Sequence, residues 1–244
     1  MNKDKRKILV LVEGAKTDVR LIGYLMKIYE IDVKYEIVSY NTNIYTLYNE
    51  MFLEGDPDAM DILQILKERE QNQEIKKLFD EKYTDILLIF DFDPHDPQFS
   101  EEKIIRMMDY FVESSDMGKL YLNYPMVEAF YHMKSIPDKS FNNCCATISE
   151  LKAGTYKKRV NHENRDKDYR KFARTREECN IVILQNIAKA WSILNNISYV
   201  ENTVPNFSEI LMAQLEKLNI DKEVFVLCTC VFYIIDYNPK LVID

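Results

Sequence analysis

The run Ile8-Leu9-Val10-Leu11-Val12 ends on Glu13, and the run Asp85–Phe90 ends on Asp91 and Asp93 in the stretch DFDPHDP. A fourth acid, Glu128, stands in NYPMVEAFYH. Carboxylates gathered in one small volume repel one another and their pKa values rise, unless a cation joins them. Hard oxygen donors suit Mg²⁺, or Mn²⁺ in its place. Each acid also has a plainer reading. Glu13 fits the first turn of a helix, where the dipole favours an anion. Glu128 fits an exposed helix face. An Asp-x-Asp after a strand also opens phosphatases in which the first Asp is a nucleophile, but that chemistry leaves Glu13 without a role. The stretch EGAKTD lacks the Gly-x-x-x-x-Gly-Lys-Ser/Thr spacing, so it makes no phosphate cradle.

Certain elements must hold these acids. Residues 7–12 form an uninterrupted apolar run, the pattern of a strand covered on both faces, and 85–90 repeat it. Residues 17–30 predict a helix capped by Thr17 or Asp18, with Leu21, Leu25 and Ile28 on one face. VKYEIV at 33–38 alternates as a strand does. Helices are expected over 42–53 and 59–80, the latter with Ile62, Ile65, Leu66, Ile75 and Leu78 as its stripe. A helix over 100–114 has Ser100 at its N-cap position, and KLYLNYP at 119–125 reads as a strand. Pro125 opens a helix over 126–134, which puts Glu128 and His132 on one face. Strand and helix alternate through residue 135, as in a parallel sheet covered on both sides. In such a sheet ligands bind beyond the carboxyl ends of the strands, where Glu13, Asp91 and Asp93 stand.

The remainder differs. Residues 136–176 look loop-rich and basic. A helix follows over 177–195, with Ile181, Leu184, Ile187, Ala188 and Trp191 facing inward, then helices over 207–218 and 222–236. The chain of 244 residues carries a formal charge of −8. Residues 152–176 hold ten basic side chains against three acidic ones, +7, which leaves −15 for the rest. Net charge argues against coating nucleic acid, whereas a segregated basic patch suits an anionic partner. Tyr156, Tyr169 and Phe172 interleave with these charges, so bases could stack where Lys and Arg meet phosphate. Lys158, Arg159, Arg170, Lys171 and Arg174 are the candidate contacts, together with Lys16 at the start of the first helix. The bland alternative is a basic face that pairs with the chain's own acids. The five cysteines show no zinc spacing, and Cys144, Cys145, Cys228 and Cys230 read as structural thiols of a reduced, cytoplasmic protein. The longest apolar run, Val224 to Ile235, is too short to cross a bilayer and reads as a buried helix or a dimer seam.

LVEGAKTD followed by LLIFDFDPHD resembles the Toprim fold of topoisomerases, primases and several nucleases, whose signature is a Glu after the first strand and an Asp-x-Asp after a later one. NYPMVEAFYH resembles the Pro-x-x-Glu helix of small Toprim nucleases of the OLD and RloB type. The resemblance covers residues 1–135, with a helical insertion at 41–80; residues 136–244 match no domain of that kind. It implies an Mg²⁺-dependent nuclease acting on DNA or RNA, in bacterial defence. Glu13, Asp91, Asp93 and Glu128 would hold the metal, with Glu13 as ligand or general base. In related nucleases a lysine neutralises developing charge, a role open to Lys157, or to Lys158. The competing expectation is a non-catalytic Toprim-like module that binds a partner protein or nucleic acid within a larger complex.

Overall fold

The computed structural model describes residues 7–31, 34–53, 61–115, 117–194 and 203–243. It is an α/β protein whose four-stranded parallel sheet is flanked by helices. In chain order the first elements are β1 (Lys7–Val12), α1 (Thr17–Ile28), β2 (Lys34–Ser39), α2 (Ile44–Tyr48), α3 (Ile62–Arg69) and α4 (Gln73–Leu78). Then come β3 (Asp85–Asp91), α5 (Glu101–Tyr110) and β4 (Lys119–Asn123). The sheet order is β2-β1-β3-β4. β1 pairs with β2 in the register Val12↔Ser39 and with β3 in the register Val12↔Ile89. Every residue of β1 is buried, as its unbroken apolar run demands of a strand with neighbours on both sides.

Two compact units divide the chain. The first comprises Met1–Phe90 and Ser100–Tyr121, the second Asp91–Phe99 and Leu122–Asp244. The division passes through β3 and β4, so the carboxyl ends of those two strands belong to the second unit. That unit contains β5 (Cys145–Thr147), α6 (Ile148–Lys152), α7 (Tyr156–Glu163), α8 (Arg176–Ile193), α9 (Phe207–Asp221), β6 (Glu223–Phe225) and α10 (Phe232–Tyr237). β5 and β6 pair antiparallel, and Tyr124 and Leu227 exchange two 2.8 Å backbone hydrogen bonds beside them.

Several expected elements differ. The helix expected over 59–80 is broken between α3 and α4, because Glu70 Oε1 accepts the N–H groups of Gln71 and Asn72, and Asn72 then caps α4. Residues 59 and 60 of that helix lie outside the described residues. After α2 the backbone widens into a π-helical turn over Asn49–Leu53. Lys16, rather than Thr17 or Asp18, precedes α1, and no side chain caps it. Ser100 does hold the N-cap position of α5, without a side-chain bond. The helix expected over 126–134 is a 3₁₀ turn, Val127–Tyr131, that stops before His132. With three residues per turn, Glu128 and His132 do not share a face. The expected loop at 136–176 carries β5, α6 and α7, and α6 opens with a capping box between Thr147 and Glu150.

The buried stripe of α8 runs through Cys179, Val182, Ile183, Asn186, Ile187 and Ala190, not Ile181, Leu184, Ala188 and Trp191, and Ala188 is exposed. Two polar residues in that helix, Asn186 and Lys189, are fully buried and disguise the apolar pattern. The helix expected over 222–236 is instead β6, a buried extended stretch, and α10. Lys222 takes a left-handed conformation (φ 57°), which ends α9 and turns the chain into a strand.

Candidate metal centre

The sheet places Glu13 through its backbone. The Glu13 N–H donates to the carbonyl of Ile89 (3.1 Å), and its carbonyl accepts from the N–H of Asn41 (3.0 Å) and from Ser39 Oγ (3.4 Å). Glu13 thus continues β1 one residue beyond the ladder, tied to the strands on both sides. A Cβ at Gly14 would meet Asp18 Oδ2 at 2.5 Å, so any other residue there requires the Asp18 carboxylate to shift.

Asp91 is the last residue of β3 and is buried. Its Oδ1 accepts a 2.8 Å hydrogen bond from the N–H of Val127, at the start of the 3₁₀ turn. The loop that follows is pinned to the end of β4. Phe92 N–H donates to the Asn123 carbonyl (3.0 Å) and Asp93 N–H to the Pro125 carbonyl (3.3 Å). Asp93 itself sits at φ 36°, a left-handed conformation that Asp tolerates better than most residues. Burial pushes its carboxyl up to about 6, against the pull of His95 and Lys157. His95 Nδ1 is 3.8 Å from Asp93 Oδ1.

One oxygen from each of Glu13, Asp91 and Asp93 lies within 4.8 Å of the other two. Among the described residues this is the one group of three or more acidic, His or Cys side chains so close together. Asp93 Oδ1 is buried without a hydrogen-bond partner. Three carboxylates, one with an unsatisfied buried oxygen, form a donor set that fits a hard divalent cation.

Glu128 lies outside that group. Its Oε1 is 3.1 Å from Lys157 Nζ, and its Oε2 is buried with no hydrogen-bond partner. Burial pulls the Lys157 ammonium down, but Glu128, Asp91 and Asp93 more than offset this and hold it above its ordinary value. The Lys157 side chain remains 60% exposed, so one cation both faces solvent and serves the acids.

Part of the basic stretch is committed to the chain's own acids. Arg159 Nη1 binds both oxygens of Glu150 (2.9 and 2.8 Å) and its Nη2 donates to the Cys145 carbonyl (2.7 Å). Arg165 pairs with Asp166 and Glu178, and Arg170 with Asp168. Among the described residues Lys16, Lys158, Lys171 and Arg174 carry no ion pair, and all four are exposed. Tyr156 and Phe172, expected to offer stacking surfaces, are buried, because apolar ring area finds the core before it finds a ligand.

Sequence reasoning missed a second polar cluster. His132 is buried, with Nδ1 3.2 Å from Tyr156 Oη and 3.6 Å from Cys144 Sγ, and Nε2 3.3 Å from Glu163 Oε2. Beneath it, the buried Lys189 Nζ donates to the carbonyls of Phe141 and Cys144, each at 2.7 Å. No spacing in the sequence announces this convergence.

No family of known proteins matches the chain, nor does any curated protein or solved structure. No described helix is long and apolar enough to cross a membrane.

Proposed function

We propose that this protein is a divalent-cation-dependent nuclease of Toprim type, cleaving phosphodiester bonds in DNA or RNA. The observation that carries this reading is the meeting of Glu13, Asp91 and Asp93 oxygens within 4.8 Å at the carboxyl ends of adjoining parallel strands. A parallel sheet presents its ligand site at that edge. The resemblance of LVEGAKTD and LLIFDFDPHD to the Toprim signature supports the same acids in the same order.

Glu13, Asp91 and Asp93 hold a cation, Mg²⁺ or Mn²⁺, which when bound supplies charge to a scissile phosphate and lowers the pKa of water. The residues around it do the rest. Val127 N–H binds one oxygen of Asp91 and holds its carboxylate at the end of β3. Lys157, held charged by Glu128, neutralises negative charge developing on a phosphate oxygen. His95, beside Asp93 in the loop, is placed to donate to a phosphate. The exposed Lys16, Lys158, Lys171 and Arg174 supply contacts to the nucleic-acid backbone. A place in bacterial defence follows the same resemblance.

The test is cleavage of single-stranded DNA, duplex DNA and tRNA in Mg²⁺ or Mn²⁺, by the wild type and by Glu13→Gln and Asp91→Asn. Cleavage that needs the cation and disappears in both variants supports the reading. Equal cleavage by variant and wild type ends it. Cation binding without any cleavage shifts the reading to a binding module within a larger complex.

A further inference from the structure

Building on the nuclease reading, we infer that the cleft at the end of β2 holds one unstacked nucleobase beside the phosphate to be cut. Single strands are then the substrate class. All residues lining the cleft belong to the first unit.

The cleft has a volume of about 180 Å³. That is below the roughly 300–1,000 Å³ of sites that enclose drug-sized ligands, and suits one flat ring system. Val38, Leu66 and Phe79 line it from the core. Ser39 and Asn41 line it from the end of β2, and Arg69, Glu70 and Gln71 from the break between α3 and α4. The β2 wall is bonded to Glu13, whose carbonyl accepts from the Asn41 N–H (3.0 Å) and from Ser39 Oγ (3.4 Å). The wall is thus one strand over from the Glu13 carboxylate, about 4.8 Å in a sheet. A nucleoside next to a phosphate held at Glu13 falls beside it.

Charge favours a neutral ring here over an anion. Arg69 is the one cation among the lining residues, and its charge is met by Glu50. Its Nη1 also donates to Tyr40 Oη (3.1 Å), and its guanidinium carbon lies 4.4 Å from the Tyr40 ring centroid. A paired guanidinium laid along a ring offers a plane for stacking rather than a free charge. The Glu70 carboxylate, in the same wall, repels a phosphate.

The rim supplies amides for a base edge. Glu70 Oε1 accepts the N–H groups of Gln71 and Asn72 (2.8 and 2.7 Å), which fixes the backbone that carries Gln71. The Gln71 side chain makes one hydrogen bond, from Nε2 to the Arg69 carbonyl (3.3 Å). Its amide keeps an acceptor and a second N–H. The Asn41 amide bonds only to Ser39, within the wall. A donor beside an acceptor matches the N6 and N7 edge of adenine. A base stacked in a duplex cannot enter such a cleft, whereas one in a single strand can.

The experiment reads binding and cleavage separately, on the full chain. Binding is followed by fluorescence anisotropy of labelled octanucleotides in Ca²⁺: oligo(dA), oligo(dT), an abasic strand and a duplex. Oligo(dA) should bind most tightly, and the abasic strand about tenfold more weakly, within the range for losing one base stack. Gln71→Ala, at an exposed position, should reduce that difference. Gln71→Ala combined with Asn41→Gly should remove it while Mn²⁺ affinity stays at the wild-type value. Asn41→Gly suits the left-handed backbone there (φ 57°) and keeps the N–H that serves Glu13. Cleavage in Mg²⁺ is followed on strands with a single abasic site moved one position at a time. Only a missing base next to the cut should slow it. Equal binding of abasic and base-bearing strands, a duplex bound as tightly as oligo(dA), or an unchanged difference in the double variant would overturn the inference. Cleavage indifferent to the base beside the cut would also overturn it and leave the nuclease reading standing. Base-dependent binding lost in the double variant, with no cleavage by the wild type, would uphold the base site and end the nuclease reading.

Discussion

The N–H of Val127 and Oδ1 of Asp91 are joined by a 2.8 Å hydrogen bond, which anchors the end of β3 to the turn that carries Glu128. Asp91 therefore has a structural role besides the ligand role proposed for it, and the two can be separated. Asp91→Asn keeps a carbonyl that accepts from Val127 and loses the negative charge. The variant should melt like the wild type in a chelator and bind Mn²⁺ more than about tenfold more weakly by calorimetry, since even an outer-shell partner is worth 10–100-fold. Glu13→Gln should behave in the same way, because its position rests on backbone bonds to Ile89 and Asn41. Wild-type affinity in both would remove the cation from the acid cluster.

Asp93 shows the opposite balance. Its carboxyl is raised from 3.8 to about 6, chiefly by burial. A raised folded-state pKa gives stability that is complete below the unfolded value and fades as pH climbs through 6. At pH 7.5 without metal the ionised group is thus a burden, on the order of 2–3 kcal/mol. Asp93→Asn should be more stable than the wild type in chelator at pH 7.5, with the gain disappearing near pH 4. Urea melts at the two values check this. Saturating Mn²⁺ should reverse the order, because only the wild type gains from the cation.

Lys157 is expected to act on the reaction rather than on cation binding. It pairs with Glu128 at 3.1 Å and keeps most of its side chain in solvent. Lys157→Met should lower single-turnover cleavage at saturating Mg²⁺ by about 10²-fold, the cost of removing one preorganised charge partner. Lys157→Arg should restore part of it, and Mn²⁺ affinity should stay close to wild type. Undiminished cleavage by Lys157→Met would leave the lysine a salt-bridge partner and nothing more.

The acids at the ends of β1 and β3 were legible because those strands are unbroken apolar runs, a pattern that fixes both burial and the point where the chain leaves the sheet. What failed depended on polar side chains turned inward. Lys189 and Asn186 are fully buried in α8, so its apolar periodicity pointed to the wrong stripe. Residues 224–235 are apolar but for Thr229, and such a run cannot tell a short buried strand from a buried helix. Lys222 at φ 57° made the choice, a conformation that no residue-type signal gave away. Tyr156 and Phe172 looked like a stacking surface only because their charged neighbours are exposed. His132, Cys144 and Glu163 come from three elements, and spacing alone carries no trace of their meeting.

The same histidine gives the protein an acid-sensitive step. Burial, with help from the Arg159 charge, lowers His132 from 6.5 to about 4, against the opposing pull of Glu163. Its side chain is 1% exposed, so solvent screens little of this. The unfolded chain binds a proton at His132 near pH 6.5, whereas the folded chain resists until about pH 4. The folded state is therefore at full advantage above pH 6.5 and loses it as pH falls toward 4, on the order of 3 kcal/mol in all. Glu163→Gln removes the one carboxylate that steadies the imidazolium, so it should deepen the loss. His132→Gln takes away the titrating group, so its stability between pH 6.5 and 4.5 should decline less than that of the wild type. Urea denaturation of the three proteins at half-unit steps of pH measures this directly. Parallel curves for wild type and His132→Gln would show that His132 titrates in the folded protein as it does in water.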